Sequence, residues 1–265
     1  MIITCKNLKN TSQWRDAFTL AEVLITLGVI GIVAAMTLPT LIHNYQVKQW
    51  ETGLKRSYNI LTNGFKKVMS DTGCVDLICT GIFVPNATNT QNTENPEFNA
   101  RMETTAKNAF NVKKVCKLGT TDDECPSEYT INYLKGTLTS VLKSDKIFSM
   151  QLADGTVVYI ENWGCMGKLE RRNCAYLLLD LNGYKKPNTY GKDVFALGFL
   201  KSDASIIPNT SLYNSQTSAN PYWRNDPVQC GTPGVKLKDE TISPIVGSNC
   251  LARIMENNWE MDYLK

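Results

Sequence analysis

Residues 18–42 read FTLAEVLITLGVIGIVAAMTLPTLI, 25 residues in which Glu22 is the only formal charge. At 1.5 Å per helical residue the stretch is about 37 Å long, enough to cross a hydrocarbon layer of about 30 Å. It is predicted to be a transmembrane helix. Lys6, Lys9 and Arg15 precede it against the single acid Asp16, which places residues 1–17 in the cytoplasm and sends the chain beyond residue 42 outward. A secretory signal is the rival, because Val33-Ala34-Ala35 offers small residues for a cleavage site. Such a signal has an apolar core of only about 7 to 15 residues and no use for a buried acid, so the anchor reading is preferred.

The remaining composition sets the class. The chain has 265 residues, 28 basic and 25 acidic side chains, and is 43% apolar with a mean hydropathy of −0.22. These values exclude a polytopic membrane protein and a wholly disordered chain, and they leave ample material for a core. A net charge of +3 is not the footprint of a nucleic-acid binder, and no nucleic-acid partner is expected.

Glu22 is the anomaly in the apolar run. A carboxylate there costs about 2.5 to 3.5 kcal/mol at the bilayer centre, and less near the interface, so it normally has a partner. A cut after Ala17 would give Phe18 a new α-amino group one helical turn from Glu22. Without that cut, the side chain would reach toward the headgroups.

The residues Ala17-Phe18-Thr19-Leu20-Ala21-Glu22-Val23-Leu24, the apolar run behind them and Pro39 together resemble the prepilin N-terminal cleavage and methylation motif. That motif marks type IV pilins and type II secretion pseudopilins. The resemblance covers residues 15 to 45, with one departure: the family usually has Gly before the cut, where this chain has Ala17. It implies cleavage by a prepilin peptidase between Ala17 and Phe18, and methylation of the Phe18 amino group. It further implies pairing of Glu22 with an N-terminus during assembly, and a helix kink at Pro39. The implied divisions are a leader (1–17), a transmembrane half-helix (18–42) and an extracytoplasmic pilin-like head (43–265). The implied partners are other pilin or pseudopilin subunits, the peptidase, an inner-membrane assembly platform and membrane lipid.

Downstream, Val47, Trp50, Leu54, Tyr58, Leu61, Phe65 and Val68 recur at helical spacing, with Lys48, Glu51, Lys55, Arg56, Asn59, Lys66 and Lys67 filling the other positions. The helix is therefore expected to leave the membrane, become amphipathic, and stop near Asp71-Thr72-Gly73. Gly28, Gly31 and Ala35 form small-residue faces on which helices could approach closely.

Of nine cysteines, Cys5 lies in the leader. The remaining eight are Cys74, Cys79, Cys116, Cys125, Cys165, Cys174, Cys230 and Cys250, an even set suited to an oxidised compartment. Eight cysteines allow 105 pairings, of which the sequential one is simplest, with Cys165 and Cys174 closing the neck of a loop. Zinc is disfavoured, since no Cys-x-x-Cys occurs and the sole histidine, His43, adjoins the membrane. Taking Lys6, Lys9, Arg15 and Asp16 away from 28 basic and 25 acidic residues leaves a net charge of +1, so the basic excess is topogenic.

Residues 85–105, rich in Asn, Thr and Glu with two prolines, and residues 203–227, rich in Ser, Asn and Pro, are expected to be surface loops. A hairpin is expected from 147–152 and 156–160 around Ala153-Asp154-Gly155, with further strands at 175–181 and 194–200. The expected fold is α+β: a long N-terminal helix packed on a small antiparallel sheet of about four strands, with disulfide-stapled loops. The segment 180–193 is rich in oxygen ligands and makes Asp180, Asn182 and Asp193 a candidate calcium site. Its spacing is not that of an EF-hand, and Asn182-Gly183 and Pro187-Asn188 also serve as turns. No other cofactor is expected. No nucleophile elbow or phosphate loop is present, so no enzyme is expected.

The functional expectation is a structural subunit of a type IV pilus or type II secretion pseudopilus, anchored in the bacterial inner membrane with its head outside. The alternative is a non-polymerising anchored binding domain, such as an adhesin or a ligand-capturing head.

Overall fold

A single helix, α1 (Leu20–Thr72), carries both the apolar run and the amphipathic stripe. The computed structural model describes residues 19–83, 96–117, 125, 126, 128–134, 139–142, 147–166, 173–208, 230 and 250–264. Contacts divide the chain into two units between Tyr45 and Gln46. Pro39 lies inside the helix, where it offers no N–H to the Ala35 carbonyl. α1 closes with Gly73 in the left-handed region (φ 67°), Gly73 N–H bonded to Ser70 O at 3.2 Å and Cys74 N–H to Met69 O at 2.8 Å. That pair of bonds is a Schellman closure, which a glycine makes without a Cβ penalty.

Among the described residues the second unit holds a further helix, α2 (Pro96–Ala109), and eight strands. These are β1 (Val112–Lys117), β2 (Tyr129–Asn132), β3 (Thr139–Leu142), β4 (Ile147–Leu152), β5 (Val157–Met166), β6 (Asn173–Asp180), β7 (Val194–Lys201) and β8 (Ile206–Ile207). A short helix, α3 (Cys250–Glu256), and a 3-10 turn at Asp262–Leu264 follow. Six strands make one antiparallel sheet in the order β1-β4-β5-β6-β7-β8, and β2 pairs with β3 in a second, two-stranded sheet. The β4–β5 hairpin turns as expected: Gly155 has φ 97°, and the Asp154 carboxylate accepts the Thr156 N–H at 3.1 Å.

Alternation along the strands explains the apolar runs. Val158, Ile160, Leu177, Leu179, Phe195 and Leu197 join the cluster that contains Leu54, Leu61 and Phe65 of α1. Val157, Tyr159, Leu178, Val194 and Ala196 point to the opposite face and pack with Tyr129 and Ile131 of β2. The large sheet is thus a middle layer covered on both faces, which is why Leu177-Leu178-Leu179 carries no polar residue.

Three expectations need correction. The sheet has six strands rather than about four, because the flanking strands are short or charged: β1 carries Lys113, Lys114 and Lys117, and β8 is two residues long. The second correction concerns residues 85–105, expected as a loop, whose later part enters α2. Its Phe98, Met102 and Ala106 are buried at steps of four, a stripe that the Asn- and Glu-rich composition conceals. The third concerns Glu51, placed by periodicity among the solvent positions. It is only 4% exposed, and its Oε1 accepts the Met261 N–H at 2.8 Å while Oε2 takes Lys48 Nζ at 3.0 Å. A carboxylate there ties the C-terminal segment to α1 by satisfying a buried backbone donor.

The structure pairs the eight cysteines in sequence order: Cys74–Cys79, Cys116–Cys125, Cys165–Cys174 and Cys230–Cys250, with separations of 5, 9, 9 and 20 residues. Each closes a local segment, so the layers are joined by packing and not by covalent bridges. The Cys165–Cys174 bridge links the end of β5 to the start of β6.

At Gly64 two effects oppose each other. Alanine would improve helix propensity by about 1 kcal/mol, but its Cβ would lie 2.0 Å from Phe110 Cε1 and 2.5 Å from Cζ. Phe110 is itself buried and edge-on to Phe65 at 5.3 Å, so its ring has little room to retreat. Gly64→Ala is expected to lower head stability by about 1 to 3 kcal/mol, the usual cost of overpacking, as read from a thermal melt; an unchanged or raised melting temperature would contradict this packing.

Candidate functional site

The first turn of α1 is built from Thr19 and Glu22. Glu22 Oε2 accepts the Thr19 N–H at 2.8 Å and the Thr19 hydroxyl at 2.9 Å, and Thr19 Oγ1 accepts the Glu22 N–H at 3.2 Å. This is a capping box, in which the N-cap residue and the third helical residue satisfy each other's backbone donors. The Thr-x-x-Glu spacing that encodes it is visible in the sequence, although an argument from charge alone passes over it. Only one carboxylate oxygen is committed: among the described residues Oε1 has no partner. Ala17 and Phe18, the expected processing residues, lie outside the described residues.

Beyond the cap the helix is bare. One stretch of α1 is long and apolar enough to cross a membrane, with a mean hydropathy of 2.2 and none of it buried. Leu20 is 78% exposed, and Leu24, Ile25, Leu27, Ile30, Leu41 and Ile42 are exposed as well. A Cβ added at Gly28 or Gly31 would meet nothing within 4 Å, so the small-residue faces are uncovered. By length and composition this stretch could be a membrane anchor.

The second candidate is the loop between β6 and β7. The structure brings Asp180, Asn182 and Asp193 together. Asp180 Oδ1 accepts the Asn182 N–H at 3.0 Å, and its Oδ2 accepts the Tyr129 hydroxyl at 2.5 Å. Asp193 Oδ1 accepts the Thr189 N–H at 2.8 Å, and its Oδ2 accepts Asn182 Nδ2 at 2.8 Å. Every carboxylate oxygen is thus engaged by a protein donor, and among the described residues no three His, Cys, Asp or Glu side chains gather as a metal site. Asn182 Oδ1 and Asn188 Oδ1 are buried without partners, and the amide of Asn182 turns its nitrogen toward Asp193. Calcium takes six to eight oxygens, and this donor set as arranged does not fit it. The cluster is a hydrogen-bonded fastener that holds β2 and the loop to the large sheet.

Burial gives this fastener a pH signature. Desolvation pushes the Asp180 carboxyl up from 3.8 to about 8, against the lowering effect of the Tyr129 hydroxyl and with a further push from Asp193. Desolvation likewise raises Asp193 to about 6. A folded-state value above the unfolded one means that the native state holds the proton more tightly. The contribution is therefore complete below pH 3.8 and lost as pH rises toward 8.

No family model matches the chain, and no curated protein or solved structure matches it.

Two outcomes follow for this loop. Melting curves of the purified chain are expected to fall in stability between about pH 5 and about pH 8, and Asp180→Asn, which mimics the neutral acid, should flatten that slope. A slope unchanged in the variant would remove Asp180 as its source. Addition of calcium, or of a chelator, is expected to leave the melting temperature unchanged; a calcium-dependent rise would mean that Asn182 turns its oxygen inward around an ion.

Proposed function

We propose that this chain is a structural subunit of a type IV pilus or a type II secretion pseudopilus. The observation that carries the reading is α1 itself: one unbroken helix whose first part is apolar and uncovered, and whose second part is buried in a disulfide-bonded head. A helix of that kind needs two successive covers, lipid while the subunit waits and neighbouring helices once it is assembled.

In this proposal residues 1–17 are a cytoplasmic leader, and a prepilin peptidase cuts between Ala17 and Phe18 and methylates the new amino group. The apolar half-helix holds the subunit in the bacterial inner membrane, single-pass, with the head outside. The unused Oε1 of Glu22 then accepts the α-amino group of an adjacent subunit, while Oε2 keeps the capping box closed. Pro39 lacks the N–H of a regular turn and gives the helix a point of local adjustment as it moves from lipid to filament. An inner-membrane assembly platform would drive that movement, and the residues themselves supply register and adhesion.

Intact-mass analysis of the membrane-extracted chain, from cells with and without a prepilin peptidase, is the test. A peptidase-dependent start at methylated Phe18 is expected, and a retained Met1 in both strains would overturn the proposal. Glu22→Leu is expected to insert normally yet reduce filament yield more than about tenfold, since a charge left without its partner in a buried site costs about 3 to 5 kcal/mol. Normal filament yield from that variant would remove the pairing role.

A further inference from the structure

The four disulfides differ in what can reach them. Cys116, Cys125, Cys165, Cys174, Cys230 and Cys250 are between 0 and 8% exposed, so three of the bridges are sealed inside the second unit. Cys79 is exposed and Cys74 half-buried, which leaves the Cys74–Cys79 bridge at the surface. Thiol–disulfide exchange begins with a thiolate approaching one sulfur of the bridge, so access decides which bridge takes part.

The segment around this bridge is held by bonds that do not involve sulfur. On its N-terminal side the closure of α1 is made by backbone groups, Gly73 N–H to Ser70 O and Cys74 N–H to Met69 O. Inside the loop Leu77 is fully buried, and its N–H reaches Ser202 O at 2.7 Å. On the C-terminal side the Thr80 hydroxyl bonds to Leu77 O at 2.6 Å and Gly81 N–H to Ile78 O at 3.0 Å, and Ile82 and Phe83 are buried. The bridge joins residues 5 apart, against 9, 9 and 20 for the others. A shorter loop removes less chain entropy from the unfolded state, so this bridge is the smallest contributor to stability of the four. Opening it is a local event, in which the sulfurs separate while Leu77 stays docked.

We propose that Cys74–Cys79 is a thiol-exchange site on the folded head, opened by a dithiol reductant while the other three bridges remain closed. A thiolate of the dithiol bonds to Sγ of Cys79, the more exposed partner; the Cys74–Cys79 S–S bond breaks, and its electron pair leaves on Cys74 Sγ, which takes up a proton. The second thiolate of the dithiol then attacks its own sulfur in the mixed disulfide and frees Cys79 as a thiol. Two electrons and two protons have passed to the chain, and the dithiol has become a disulfide. The assignment does not rest on the assembly reading, because it uses only the end of α1, the loop that follows and Ser202.

The test uses the full chain in lipid nanodiscs without denaturant. N-ethylmaleimide first blocks thiols that are already free; dithiothreitol and iodoacetamide follow, and peptide mass mapping locates the second label. Cys74 and Cys79 are expected to take that label at least about tenfold faster than any other bridged cysteine, since the rate follows access. Equal labelling of a second bridge, or none at Cys74 and Cys79, would overturn the proposal. The double variant Cys74→Ser/Cys79→Ser is expected to melt cooperatively and to keep its other three bridges unlabelled under the same treatment. A variant that does not fold, or whose other bridges open, would show that the bridge holds the head together, and would overturn the proposal as well.

Discussion

The structure depends on one constraint: among the described residues, nothing covers the apolar half of α1. Residues 20–45 expose leucines, isoleucines and valines throughout, whereas from Val47 onward the same helix buries one side chain per turn. The change takes place within a single helix, Leu20–Thr72. One face of the large sheet receives the stripe of Val47, Leu54, Leu61 and Phe65.

That reception explains the layering. A sheet that packs on a helix with one face still needs a cover for the other, and β2, β3 and the loop after β6 supply it. The cover is fastened by polar groups whose burial is costly. Asp180 is wholly buried at the end of β6, and the Tyr129 hydroxyl and the Asn182 amide compensate for its lost hydration. Glu51 does the corresponding work on the α1 side, where it receives the Met261 N–H. The C-terminal segment is held further by Arg253, which reaches Asp262 at 2.7 and 3.0 Å, and by the Tyr263 hydroxyl on Gly191 O at 2.6 Å.

This division separates two kinds of chemistry. The N-terminal half-helix offers one carboxylate oxygen, Glu22 Oε1, that has no partner among the described residues, in an apolar surface. The second unit offers an open groove between α1 and the turn after α3, lined by Asn59, Asn63, Asn258 and Trp259. Neither requires the other. The four disulfides close short loops, so the groove is held by packing of α1 against the C-terminal segment.

The helix, its two halves, its glycine stop and the β4–β5 hairpin were legible in the sequence because each rests on local periodicity or turn chemistry. Hydrophobic spacing and a residue such as Gly73 or Gly155 act over one or two turns of chain. The capping box of Thr19 and Glu22 was equally local. Helix α2 was hidden because a polar composition masked a narrow apolar stripe at Phe98, Met102 and Ala106. The burial of Glu51 against Met261 and the fastening of Asp180 by Tyr129 belong to the tertiary structure alone. They join residues 210 and 51 positions apart, respectively. No short-range pattern constrains such pairs; only the packing of α1, the sheet and the C-terminal segment decides which polar groups share a desolvated space.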